Sequence, residues 1–307
     1  MVLCELCGIE DNVVDAIVEG SMLKVCNRCR AFGDVLEVNN LQVRKEQPKR
    51  TYFNEPEEYV IDDYNEKIKN AREKLSNLGC KADLVLSDYR NIDKVLADLK
   101  VEKVDAILLD LGLSSDQLDV SGRGFTFRRD EPLLMTFAES EQKVDARVIV
   151  NNWGEETIAD ILYGYSDERY SRRIAKAIIL ARKTKPIETT YDLVRIIENV
   201  VPAGYRRGKT HFATKTFQAL RIAVNDEITA LKEGMDKGWS FLKIGGRMAI
   251  MSFHSVEDRE VKNFFRDKVK LKEGRFINKK PIIPTDIEIK ENPRSRSAKL
   301  RVIEKVK

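Results

Sequence analysis

The stretch Val104-Asp105-Ala106-Ile107-Leu108-Leu109-Asp110-Leu111-Gly112-Leu113-Ser114-Ser115-Asp116-Gln117-Leu118 constrains the fold more than any other in this 307-residue chain. An apolar run ends abruptly in a carboxylate, a glycine and two hydroxyls. A buried parallel strand that delivers polar groups to a ligand at its carboxyl end has this pattern. A plain core strand whose Asp110 caps the next turn would share the apolar run. The segments that follow favour a site.

Four of them come in order: Arg123-Gly124-Phe125-Thr126-Phe127, Ala213-Thr214-Lys215-Thr216-Phe217-Gln218-Ala219-Leu220-Arg221-Ile222, Ser252-Phe253-His254-Ser255-Val256-Glu257-Asp258-Arg259 and Asn292-Pro293-Arg294-Ser295-Arg296-Ser297-Ala298-Lys299-Leu300-Arg301. With the opening stretch they resemble the RsmH (MraW) family over about residues 76 to 307. Those bacterial methyltransferases modify the exocyclic N4 of a cytosine in 16S ribosomal RNA. The resemblance implies a Rossmann-like α/β sheet, S-adenosylmethionine as cofactor and 16S RNA or the small ribosomal subunit as partner. It also implies cofactor contacts from Asp110 and Gln117, Tyr89 beside the adenine, and Asp62 or the adjacent Asp63 on the ribose.

For the reaction, Asp110 is the candidate acceptor that would localise the N4 lone pair. His254, one of two histidines, is expected at the carboxyl end of the next sheet strand; a histidine that only closes a strand end is the competing reading. The family's Gly-Gly-His-Ser type turn has no counterpart between Met1 and Asp62, where the glycines are Gly8, Gly20 and Gly33. The sheet is therefore expected to lack its first strand, exposing apolar surface on Val104 to Leu109 and impairing activity.

Cys4-Glu5-Leu6-Cys7 and Cys26-Asn27-Arg28-Cys29 are two knuckles 18 residues apart. Such spacing lets Cys4, Cys7, Cys26 and Cys29 close a tetrahedral zinc site, structural because four thiolates leave no open position. A segment this short has little core, so the metal would supply most of its stability. Together with Cys7-Gly8, Glu19-Gly20 and Ala31-Phe32-Gly33 it resembles the amino-terminal zinc ribbon of archaeal multiprotein bridging factors, followed by a charged linker. That resemblance implies a protein partner. It also carries an alternative function: a transcription-associated interaction protein with an inactive, RNA-binding methyltransferase-like body. Residues 63 to 75 suit the first helix of either family.

The expected organisation is a zinc ribbon over 1–33, a linker over 34–58, the methyltransferase domain over 59–115 and 216–307, and an inserted helical substrate-recognition domain over 116–215. Periodicity predicts a strand from Asp83 to Leu86 and a helix from Ile92 to Leu99. It predicts further helices over 144–152, 155–163, 168–183 and 190–200, and one long helix from Thr216 to Phe241. Strands are expected over Arg247 to Phe253, Lys279 to Ile289 and Lys299 to Lys305. Where the family reads Pro-Leu-Asp-Met-Arg-Met, this chain has Pro132-Leu133-Leu134-Met135-Thr136-Phe137, without the acid and base.

Charge points the same way. The net charge is +4, yet residues 1–75 carry 11 basic against 15 acidic side chains, and Lys262 to Lys307 carry 15 against 6. The basic excess belongs to the carboxyl-terminal part, as on a surface facing phosphates. Arg206, Arg207, Lys209 and Lys215 around His211, with Arg294 and Arg296, are the candidate RNA contacts. No apolar run reaches the length of a membrane span and no secretory signal opens the chain, so a cytoplasmic location without membrane contact is expected.

Overall fold

A strand persists only where a neighbour completes its hydrogen-bond ladder, and that requirement decides which apolar runs of this chain become sheet. A computed structural model describes residues 2–4, 9–11, 13–18, 21–29, 34–35, 71–75, 77, 82–114, 117–118, 121–137 and 144–307. The chain divides into two compact units, residues 1–61 and 62–307. Cys7, Asp62 and the linker beyond Val35 lie outside the described residues.

In the first unit, β1 (Val2–Leu3) pairs with β2 (Glu10–Asp11). β3 (Val13–Val18) and β4 (Ser21–Cys26) form an antiparallel hairpin in register from Val13 with Cys26 to Val18 with Ser21. β5 (Asp34–Val35) adds on the other side of β3, two residues beyond the end expected for the ribbon.

In the second unit, a four-stranded sheet runs β6-β7-β9-β8, with β6 Val104–Asp110, β7 Leu242–Ser252, β8 Gly274–Phe276 and β9 Lys299–Lys305. β6 and β7 are parallel, while β9 is antiparallel to both its neighbours. The unit is a mixed α/β structure. Ile107 and Leu109 point into a core with Met235, Trp239, Met248, Ile250, Phe265 and Ile303. The opposite face is thinly covered. Leu108, between the two buried positions, is 66% exposed, and among the described residues β6 has no second neighbour. The strand is thus buried on one face only, and the apolar exposure expected on Val104 to Leu109 is found at Leu108.

The connections are helical: α1 Ile92–Asp98, α2 Ala146–Asn152, α3 Glu155–Ser166, α4 Ser171–Arg182, α5 Thr190–Val200, α6 Ala203–Arg206, α7 Thr214–Asn225, α8 Glu227–Phe241, α9 Ser255–Lys270 and α10 Asp286–Glu291. Local chemistry sets their starts. Asp145 accepts from the Val148 N–H at 2.9 Å ahead of α2, and Thr189 with Asp192 forms a full capping box on α5.

Three expectations fail. Residues 82–88 are extended but unpaired, with Val85 and Leu86 exposed, because no described strand offers them a ladder. The long helix from Thr216 breaks at Asp226, whose φ of 49° is left-handed. Aspartate tolerates that conformation, and Arg90 holds both its carboxylate and its carbonyl. Lys279 to Ile289 is not a strand: Ile282 makes a single bridge to Leu300, and Thr285 caps α10 by accepting from Glu288. Gly274–Phe276 takes the edge position instead.

Candidate active site

Parallel pairing of β6 and β7 brings two of the sequence candidates to one edge. Asp110 lies opposite Met251, and the next residue, Leu111, donates its N–H to the Met251 carbonyl at 3.1 Å. His254 follows three residues later as the N-cap of α9. Asp110 is exposed at the strand end. Beyond it Gly112 turns the chain at φ 95° toward Ser114, where the Gln117 side-chain carbonyl accepts from the Ser114 N–H and the Ser114 hydroxyl accepts from the Gln117 N–H.

His254 is committed at both ring nitrogens. Nδ1 accepts from the Glu257 N–H at 3.3 Å, and Nε2 lies 3.0 Å from Glu257 Oε1 and 3.4 Å from the Arg221 guanidinium. With Nδ1 accepting, the neutral ring carries its proton on Nε2 and donates it to Glu257. Arg221, in turn, makes two parallel bonds to Glu227 at 2.7 and 2.8 Å. Burial works to raise the Glu257 pKa. The hydrogen bond from His254, the Phe253 N–H and Arg221 outweigh it, so the carboxyl is held below the usual carboxylate range. The histidine thereby bonds both the backbone N–H and the buried carboxylate of Glu257.

Tyr89 sits at the head of α1, in a 3-10 turn that Asp88 caps by accepting from the Arg90 N–H. Its ring rests on α8 at Gly234, where an added Cβ would come within 2.6 Å of it. Burial, then the negative charges of Glu227, Asp88 and Glu257, push its pKa up, so the phenol stays a neutral hydrogen-bonding group.

The loop over 121–137 is a tightly tied piece. Arg123 is buried and donates to the Thr136 and Phe137 carbonyls. Asn225, at the end of α7, accepts from the Phe137 N–H and donates to the Met135 carbonyl. At Gly124, with φ 75°, a Cβ would fall 2.4 Å from the Pro132 carbonyl oxygen, so only glycine fits. The loop delivers Phe127 against His211, with rings stacked at 4.4 Å. Of the expected RNA contacts, Arg206, Arg207 and Lys209 are exposed beside His211. Lys215 donates to the Asp167 carbonyl at 2.8 Å, and Arg294 and Arg296 are exposed on the 3-10 turn Pro293–Ser297.

The MraW methylase family model matches residues 51–306. The chain belongs to the MraW methylase family. Its match starts ahead of residue 76, where the quoted motifs first carry it, so residues 63–75 fall inside the methylase family. Among similar proteins are three named ribosomal RNA small subunit methyltransferase H. That of Persephonella marina is 44% identical, covering 82% of this chain and 86% of the relative. That of Petrotoga mobilis is 46% identical over 80% and 84%, and that of Thermotoga neapolitana 45% over 80% and 81%.

Arg221, Asn225, Glu227 and Glu257 are site residues that sequence reasoning did not assign. Arg221 had a signal, a charge between Leu220 and Ile222 in an apolar-periodic helix. Glu227 and Asn225 had none, because their role depends on the break at Asp226. In the first unit, Cys4, Cys26 and Cys29 are buried, and their sulfurs lie within 4.8 Å of one another. The Cys26 N–H donates to Cys4 Sγ at 3.2 Å.

Proposed function

We propose that the chain transfers a methyl group from S-adenosylmethionine to the N4 amino group of a cytosine in small-subunit ribosomal RNA. The observation that carries this reading is the meeting of Asp110 and the His254–Glu257 pair at the carboxyl ends of two adjacent parallel strands. Ligands of open α/β sheets bind at that edge. The relatives' shared name supports the ribosomal RNA substrate.

The residues present suit the adenosine end of the cofactor: the Gly112 turn and the Gln117 segment offer groups for a nucleoside's hydroxyls and amine, which leaves the exposed Asp110 carboxylate for the reacting end. The cofactor, when bound, supplies a methyl group activated by its sulfonium. Asp110 accepts a hydrogen bond from the cytosine amino group, localises its lone pair and takes up the proton. His254 positions rather than reacts, since both ring nitrogens are engaged. Exposed Arg206, Arg207, Lys209, Arg294 and Arg296 face phosphates. Three buried cysteine sulfurs within ion-binding reach support a structural zinc in the first unit, with Cys7 as fourth ligand.

Turnover is slow in this reading, because no glycine-rich turn precedes Asp62 and a misplacement of about 1 Å can cost on the order of a hundredfold in rate. That β6 has no second neighbour among the described residues, with Leu108 exposed, favours a second reading: an RNA-binding body without catalysis, joined to a zinc-ribbon interaction module. Isothermal titration with S-adenosylmethionine separates the two. The first expects weak binding and slow N4 methylation of a small-subunit RNA fragment, lost in Asp110→Ala. Absence of cofactor binding by the full chain overturns it and leaves the second.

A further inference from the structure

A cleft of about 370 Å³ lies away from the sheet edge, between α3 and the start of α4. Tyr163, Arg169, Tyr170, Arg172 and Arg173 line it, and Asp160 is the one acid in that lining. The arginines are exposed, and Tyr163 is 63% exposed, the most open of the large apolar residues in α3.

The back of the cleft is tied together by ring contacts and hydrogen bonds. The Arg169 guanidinium lies over both the Tyr170 and Tyr205 rings, at 4.8 and 4.9 Å from their centroids, and those rings meet edge to face at 5.0 Å. Glu168, fully buried, accepts from the Tyr205 hydroxyl at 2.6 Å and from the Tyr170 N–H at 2.9 Å. Tyr205 in turn leads directly into Arg206 and Arg207.

Aromatic faces give bases a stacking surface, and arginines in a groove track the phosphates of a single strand. We propose that this cleft is a second RNA contact, which holds an unpaired nucleotide of the same substrate strand outside the reacting position. The base stacks on Tyr163 and its flanking phosphates meet Arg172 and Arg173. Tyr170, Arg169 and Tyr205 then form a continuous basic and aromatic path from the cleft to Arg206 and Arg207. An acidic polypeptide would satisfy the arginines but would leave Tyr163 without a role.

The inference rests on the ribosomal RNA reading above, and the test keeps the two apart. Affinity of the full chain for a single-stranded fragment of small-subunit ribosomal RNA is measured across a salt series, for wild type, Tyr163→Ala and the double variant Arg172→Ala/Arg173→Ala. All three side chains are exposed, and circular dichroism confirms that each variant is folded. Tyr163→Ala is expected to weaken binding about tenfold with an unchanged salt slope. The double variant is expected to lower the slope of log affinity against log salt by about 1.4, from roughly 0.7 per phosphate on single strands. Variants that bind as wild type does overturn the cleft proposal alone. A wild type that binds no RNA overturns the substrate reading and the cleft together. Polyglutamate competing for the cleft with the same dependence on Tyr163 overturns the nucleotide assignment.

Discussion

Arg221 and Glu227 are joined by two parallel hydrogen bonds of 2.7 and 2.8 Å across the break between α7 and α8. Both side chains are almost fully withdrawn from water. The pair closes the junction that the left-handed Asp226 opens, and it lies within reach of His254 Nε2.

Arg221→Met is therefore expected to destabilise the second unit strongly. Removing one member of a buried pair leaves the other charge uncompensated, which costs about 3–5 kcal/mol. Urea unfolding followed by tryptophan fluorescence checks this through Trp239, which is in the core of the second unit's sheet. A midpoint within error of wild type would show that the pair is dispensable.

Acid should unfold the second unit through Glu257 and Asp258. Against burial, His254 and Arg221 hold the first carboxyl down, and Arg301 and Lys299 the second. A folded pKa below the unfolded one means that the native state binds fewer protons. The resulting stability is complete above the unfolded values, near about 4, and is lost as pH falls through them toward the lower folded values. Stability measured from pH 7 downward is expected to hold to about pH 5 and then decline. In Glu257→Gln that decline should be shallower, and an identical profile would remove Glu257 from the account.

Gly124→Ala should disorder the 121–137 loop without touching the cysteine cluster of the first unit. The added Cβ would collide with the Pro132 carbonyl at 2.4 Å in a backbone of φ 75°, a strain on the order of 1–3 kcal/mol. RNA affinity and any methyl transfer are expected to fall, with zinc content unchanged. Wild-type affinity and wild-type proteolytic resistance of the loop would contradict this.

One zinc per chain is expected in the purified protein, and Cys26→Ser should abolish it. Cys26 supplies a sulfur within 4.8 Å of those of Cys4 and Cys29, and its own N–H supports Cys4. Chelation should melt the β3–β4 hairpin while leaving the second unit folded. Stoichiometric zinc retained by the variant, measured by atomic absorption, would count against a four-cysteine site.

Periodicity was enough to locate α2 to α5, because apolar spacing along a helix is a local signal. Ordered motifs were enough for the family. The strand ending in Asp110 was also legible, since its apolar run and polar end lie side by side in the chain. Tertiary structure decided what depends on partners distant in sequence. Residues 82–88 stay unpaired because no described neighbour completes their ladder, and the Thr216 helix divides because Arg90, 136 residues away, anchors Asp226. His254 gained its contact with Arg221, from another helix and 3.4 Å from its ring, only in the folded arrangement. Hydrogen-bond geometry of that kind is a property of the folded arrangement, so no window of the sequence contains it.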